Sequence, residues 1–320
     1  MISVIGSGCW ATAIVKILLE KPDRRVAWWV RSDEVRDALK ATGRNPRHLG
    51  QVQLDASRLT VGTDLADIVA ASDTLTLAVP AAFAAALLTS LPANAYDGKR
   101  LVSAVKGYLP ECEQSITDFC QSTLHIDQRR LGVVSGPSHA EEVAAGMPTF
   151  LTIAAYDSAL AADMAAALRC SYIHTSVSNE VRTIELTGLT KNVYAIAAGL
   201  AAGLGYGDNL ISVLTTAAAH ELQGIIPETT LAFSLLSDLI VTCFSRHSRN
   251  RALGYAVARG IAPADHFAAT GMVAEGYLSA RIMHHMATPH PTPIAEAVYQ
   301  VLHGGADPRR QIDALVDNVL

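Results

Sequence analysis

Residues 2–11 read Ile2-Ser3-Val4-Ile5-Gly6-Ser7-Gly8-Cys9-Trp10-Ala11. A short, mostly apolar run, Ile2–Ile5, has the length of a buried strand. It leads into Gly6–Ala11, which fits the pattern G-x-G-x-x-G/A, and then into an Ala/Leu/Ile stretch of helical length, 11–20. Glycine is needed where such a turn is tight and where backbone must approach a pyrophosphate. The helix that follows offers uncapped N–H groups and the positive end of its dipole. The strand–turn–helix context therefore marks Gly6, Ser7, Gly8, Cys9 and Trp10 as candidate cofactor contacts. The alternative is a tight turn with no ligand.

Further along, short apolar runs recur at 26–30, 74–79, 101–105, 131–134, 150–154 and 172–175, separated by segments of helical length such as 83–90. Strands alternating with helices imply an α/β domain with a doubly wound parallel sheet. From about Asn179 the strand-like runs stop. Long stretches at helical spacing replace them: 185–203, 211–223, 229–244, 251–259, 272–284 and 294–302. The expected organisation is a dinucleotide-binding domain over 1–178 and an all-helical domain over 179–320, which carries the substrate and catalytic groups.

Composition narrows the function. The 320 residues carry a formal net charge of −5 with no basic block, so neither nucleic acid nor an anionic membrane is an expected partner. No apolar run reaches the roughly 18 residues of a membrane helix, so no stable membrane insertion is expected. Met1–Gly6 lacks the charged start of a signal peptide. The five cysteines are scattered without zinc-type spacing, which points to thiols in a reducing cytoplasm. Adjacent His284 and His285, with His290, have no carboxylate at matching spacing, and no metal is expected.

Ligands of such sheets bind beyond the carboxyl ends of the strands. The second strand ends Trp28-Trp29-Val30-Arg31, with no acid in the place that meets a ribose. Arg31 either meets a 2′-phosphate, a lean towards NADP over NAD, or is solvated. Later strands lead into Val79-Pro80-Ala81-Ala82-Phe83, Val105-Lys106-Gly107 and Ser135-Gly136-Pro137-Ser138-His139-Ala140. Pro80, Phe83 and Ala140 are candidate cofactor contacts. Lys106 places an ammonium at the ligand edge. Gly136 and Ser138 offer backbone and hydroxyl to a substrate, and Ser138 also suits the N-cap of a helix starting near His139.

In the helical half, Lys191-Asn192 lies within an apolar helix. A lysine there is costly unless paired or solvated, and burial would lower its pKa towards the range useful for proton transfer. Asp238 and Thr242, four apart among apolar neighbours, share a helix face, and Asp238 is a candidate partner for Lys191. Arg249, in Ser248-Arg249-Asn250-Arg251, supplies a planar fork suited to a phosphate.

At these residues the chain resembles the NAD(P)-dependent glycerol-3-phosphate dehydrogenase family of bacterial type. Matching motifs run in order: Gly6-Ser7-Gly8-Cys9-Trp10, Asn45-Pro46, Val79-Pro80, Lys106-Gly107, Ser135–Ser138, Lys191-Asn192, Gly207-Asp208-Asn209, Asp238–Thr242, Ser248–Arg251 and Glu275-Gly276. The resemblance implies a Rossmann-type domain and a helical domain with the active site between them, in a homodimer. It implies that Lys191 is the general acid/base and that Lys106, Asn192, Asp238 and Thr242 surround the reacting end. Arg249 and Asn250 would hold the substrate phosphate, and Glu275 and Arg249 would lie near the cofactor. The implied reaction interconverts dihydroxyacetone phosphate and glycerol 3-phosphate. Ala11 replaces the usual third glycine. Stretches 231–237, 214–220 and 47–50 depart from the family pattern, which leaves a related phosphorylated ketone as the alternative substrate. A non-catalytic NAD(P)-binding sensor is the other alternative, against which the joint presence of Lys106, Lys191, Asp238 and Arg249 speaks.

Overall fold

A computed structural model describes residues 1–226, 233–271 and 273–318. The chain divides into two compact units. One comprises Met1–Val105 and Gln114–Val181, the other Lys106–Glu113 and Arg182–Leu320. The division thus falls at 181/182 where sequence reading put it at 178/179, and a short excursion after residue 105 belongs with the helical unit.

The first unit is built on strands β1 (Ile2–Ile5), β2 (Val26–Trp29), β3 (Leu59–Gly62), β4 (Thr74–Leu77), β5 (Arg100–Ser103), β6 (Leu131–Ser135), β7 (Thr149–Ala155) and β8 (Ile173–Ser178). Helices α1 (Cys9–Leu19), α2 (Asp33–Thr42), α3 (Leu65–Ala70), α4 (Ala81–Leu88), α5 (Ile116–Ser122), α6 (Ala140–Ala144) and α7 (Ser158–Leu168) connect them. The strands form one sheet in the order β3-β2-β1-β4-β5-β6-β7-β8. β1 pairs in parallel with β2 on one side and β4 on the other, Ile5 lying opposite both Trp29 and Leu77. The chain order therefore reverses beside β1, the switch point at which doubly wound sheets bind ligands. β4 and β6 are buried at every position, so both faces of the sheet are covered there.

The doubly wound sheet is mostly parallel, as expected, with one departure. The sheet is not parallel throughout: β7 runs antiparallel to β6, and β8 pairs with β7 in parallel. Residue pattern reports which side chains are buried but not the direction of the strand that carries them. β3 was also not read from the sequence. It is a four-residue strand with one buried position, too short and too exposed to leave a hydrophobic run.

The second unit comprises α8 (Val181–Gly203), α9 (Asp208–Ile225), α10 (Phe233–Phe244), α11 (Arg249–Ala258), α12 (Pro263–Thr270), α13 (Glu275–His285), α14 (Pro293–Leu302) and α15 (Pro308–Asn318). The helix expected from 229 lies outside the described residues over 229–232, as does Met272. α8 is the axis of this unit, being almost wholly buried from Leu189 to Ala201. Its smallest residues let α11 approach closely. A Cβ on Gly254 would sit 2.1 Å from the Ile196 carbonyl oxygen, and one on Gly199 would sit 2.1 Å from that of Arg251. These contacts bring the first turn of α11, with Arg249 and Asn250, against the middle of α8, where Lys191 and Asn192 lie.

Candidate active site

In the sheet unit, the loop after β1 has the geometry its glycines suggest. Gly6 has φ +138°, and a Cβ there would lie 2.3 Å from the Ala78 carbonyl oxygen. Only glycine fits both conditions. Gly8 is the N-cap of α1 and supplies no side-chain cap, and a Cβ on it would meet nothing within 4 Å. The space beside Gly8, at the N-terminus of α1, is open, and a helix N-terminus there fits a dinucleotide pyrophosphate. Cys9 and Trp10 are the first residues of that helix and are half-buried. Pro80 is the N-cap of α4, at the end of the neighbouring strand, with Phe83 57% exposed one turn on. Arg31, just beyond β2, is exposed, while the Asp33 carboxylate accepts from Arg36 Nη1 and Thr63 Oγ1.

Two supports of this loop were missed. Trp28, fully buried on β2, donates from Nε1 to the Gly6 carbonyl at 2.6 Å. Asn45, also fully buried, donates to the Ser7 carbonyl at 3.0 Å and to Thr12 Oγ1 at 2.9 Å. The Asn-Pro step at 45–46 was the available signal. A buried amide must find partners, and the Asn45 nitrogen finds them in the loop and in α1, while its oxygen accepts from the N–H groups of Arg47 and His48.

After β6, Gly136 has φ +122° with the Phe150 carbonyl against its Cα. Ser138 is not the N-cap of α6. His139 occupies that position without a side-chain cap, and the Ser138 hydroxyl donates instead to the Gly136 carbonyl at 2.9 Å. Ala140 is the first residue of α6 and is buried.

In the helical unit the structure gathers most of the predicted polar residues into one buried cluster. Lys191 is 1% exposed and forms an ion pair with Asp238 Oδ2. Burial pushes its ammonium down to about 8. The Asp238 carboxylate opposes that shift, and the Lys106 ammonium beside it adds to it. Thr242, one turn after Asp238, donates to the Asp238 carbonyl at 2.5 Å. Asn192 donates to the carbonyls of Gly188 at 2.9 Å and Lys106 at 3.0 Å. Its own oxygen accepts from Asn250 Nδ2 at 2.7 Å, and the Asn250 oxygen accepts from Gly276 N at 2.9 Å. A relay of amides thus ties α8, α11, the start of α13 and the Lys106 backbone together. Arg249 stands outside this relay, exposed at the first position of α11 next to the N-cap Ser248. Glu275, half-buried, opens α13.

Such a cluster can deliver a proton from a buried amine and stabilise oxygen-centred negative charge beside it. Among the described residues no helix is long and apolar enough to cross a membrane.

The family model for the N-terminus of NAD-dependent glycerol-3-phosphate dehydrogenase matches residues 1–161, and that for its C-terminus matches residues 180–313. A Salinibacter ruber protein named glycerol-3-phosphate dehydrogenase (NAD(P)+) 1 is 34% identical, over 98% of this chain and 94% of its own. One of the same enzyme name from Afipia carboxidovorans is 36% identical, over 98% and 96%. The crystal structure of glycerol-3-phosphate dehydrogenase from Coxiella burnetii superposes with a TM-score of 0.90 at 27% identity, covering 99% of this chain and 98% of that one. Over both of its units, the chain belongs to the NAD-dependent glycerol-3-phosphate dehydrogenase family.

Proposed function

We propose that the protein catalyses the NAD(P)-dependent interconversion of dihydroxyacetone phosphate and sn-glycerol 3-phosphate, which supplies phospholipid synthesis. The observation that carries the chemistry is Lys191: a fully buried amine, paired with Asp238, whose proton is held less tightly than a surface lysine's. The nicotinamide cofactor supplies the hydride. As the ketone becomes an alkoxide, Lys191 Nζ gives its proton to the oxygen, and in the reverse direction the neutral amine takes it back. General acid catalysis of this kind contributes roughly 10²–10⁴-fold. Asp238 holds Lys191 in place and keeps it protonated near neutrality. Lys106 contributes a second positive charge where the oxygen becomes negative.

Gly6, Ser7, Gly8, Cys9 and Trp10 would hold the cofactor pyrophosphate, with Pro80, Phe83, Ala140, Arg249 and Glu275 as further cofactor contacts. Arg249 would also bind the substrate phosphate through its exposed guanidinium, and Gly136, Ser138, Asn192 and Thr242 would line the substrate. Asn250 was expected to reach the phosphate. Its bonds to Asn192 and Gly276 support an orienting part beside that role. Arg31, exposed next to an Asp33 already engaged by Arg36, supports a lean towards NADP. A cytoplasmic homodimer completes the reading, supported by the family resemblance.

The test is the loss of NADH or NADPH absorbance when the purified protein meets dihydroxyacetone phosphate. Rapid oxidation supports the reading, and the faster of the two cofactors gives the preference. Cofactor binding without oxidation overturns the choice of substrate.

A further inference from the structure

The excursion Lys106–Glu113 leaves the sheet unit after β5 and belongs to the helical unit. Its anchors there can be followed along the chain. The Lys106 carbonyl accepts from Asn192. Tyr108 packs against the helical core, and Leu109 is fully buried. The Pro110 carbonyl accepts from Arg281 Nη2 at 3.3 Å, and Glu113 Oε1 is 2.8 Å from His285 Nδ1. Glu113, although not glycine, has φ +57°, and its N–H closes a turn onto the Leu109 carbonyl at 2.7 Å. A left-handed non-glycine residue persists only where its surroundings hold it, and His285 grips its side chain.

Arg281 and His285 are four residues apart on α13 and so lie on one face of that helix. The same helix is tied to the catalytic cluster at its other end, through Gly276 N and Asn250. From this arrangement we infer that Arg281 and His285 are positioning residues: they clamp the 106–113 excursion onto α13 and so hold the Lys106 ammonium beside Lys191. The inference rests on Lys191 being the acid/base. Neither residue touches the reacting groups, and each acts through the segment it holds.

Releasing the clamp weakens Lys191 as an acid. Entry of water at Lys191 would do the same, since burial is the largest cause of its lowered pKa. Release of the clamp is therefore told from general loosening by a Tm that stays at the wild-type value in His285→Ala. Among the described residues, the charged groups that act on Lys191 are Asp238 from α10 and Lys106 from the excursion, and the buried Cys243 thiol of α10 feels Lys191 in turn. Lys106 opposes the proton on Lys191, and Asp238 retains it. Retreat of Lys106 alone makes Lys191 a weaker acid.

The experiment compares pH profiles of ketone reduction for the full chain and for Arg281→Ala, His285→Ala, Arg281→Lys, His284→Ala and Lys191→Ala. His284 is the internal control: it neighbours His285 but bonds Glu296 on α14 and stacks on Tyr299. Arg281→Ala and His285→Ala should lower kcat, by about 10-fold to 100-fold for the arginine, and move the alkaline limb to higher pH. Arg281→Lys should restore part of both, and His284→Ala should match the wild type. His285 is exposed, so its variant keeps the test open if Arg281→Ala does not fold. Profiles of both alanine variants that superimpose on the wild type, with Lys191→Ala inactive, overturn the clamp and leave the acid/base reading intact. Wild-type turnover by Lys191→Ala overturns the reading itself.

Discussion

Lys191 and Asp238, 47 residues apart in sequence, face each other as a buried ion pair with each side chain only 2% exposed. Removing either partner strands a charge in a dry interior, which is strongly destabilising. The pair also fixes a pH window. In the proposed mechanism ketone reduction uses the proton on Lys191, so its rate should fall as pH rises through about 8, whereas alcohol oxidation should rise through the same range. Asp238→Asn removes the charge that retains the proton, so its alkaline limb should move to lower pH, opposite to the shift expected on losing Lys106. A limb that stays in place in Asp238→Asn would show that Asp238 does not set the proton affinity of Lys191.

Lys191→Ala removes the ion-pair partner of the buried Asp238 and should lower Tm. In the protein that remains folded, kcat should fall by roughly 10²–10⁴-fold while cofactor affinity, measured by nucleotide fluorescence, stays near wild type. Turnover close to wild type would remove Lys191 from the proton transfer.

The two glycines of the first loop should separate folding from binding. Gly6→Ala forces a Cβ into the Ala78 carbonyl in a backbone region that alanine avoids. It should lower thermal stability by roughly 1–3 kcal/mol or more. Gly8→Ala meets open space, so Tm should hardly change while NAD(P)H binding weakens. Equal loss of stability in both variants would contradict this division.

Arg249 is exposed at the first position of α11, outside the amide relay. Arg249→Ala should mainly raise KM for dihydroxyacetone phosphate, with Arg249→Lys recovering only part because a point charge cannot replace a planar fork. An unchanged KM would take the residue out of the phosphate site.

Glu221 on α9 gives a stability prediction away from the chemistry. Its carboxyl accepts from the N–H groups of Ile294 and Ala295 and so caps α14, whose N-cap Thr292 makes no side-chain bond. Burial raises it from an ordinary 4.5 to about 7, against the backbone bonds and Tyr194, which favour the charged form. A raised folded pKa means that the native state keeps a proton the unfolded chain has released. This group's stabilisation is therefore complete below about 4.5 and lost as pH rises to about 7. Glu221→Gln should flatten that part of the Tm-versus-pH curve. An identical slope in wild type and variant would refute the assignment.

Much of this arrangement was legible because burial leaves a pattern. The central strands are apolar runs, and Lys191 and Asp238 stood out because isolated charges among Leu, Ile and Val are costly without a partner. Less was legible where energy is spent on geometry rather than on hydrophobicity. β3 has one buried residue and α12 has none, so neither left a strong period. The reversal at β7 depends on chain path, and the Trp28 and Asn45 bonds to the first loop depend on which elements become neighbours. The membership of Lys106 in the helical unit was hidden for the same reason: its neighbours in sequence are strand residues, and its partners in space are Asn192 and Lys191.

That membership bears on how the protein can vary. The family models part the chain between 161 and 180, where a genetic exchange of halves would be natural. A cut there would send Lys106–Glu113 with the nucleotide-binding half and leave the recipient helices facing a foreign loop. The two halves are therefore not interchangeable cassettes. A sheet unit borrowed from another dehydrogenase must bring an excursion that fits Asn192, Arg281 and His285, so these positions and the excursion are expected to change together or not at all.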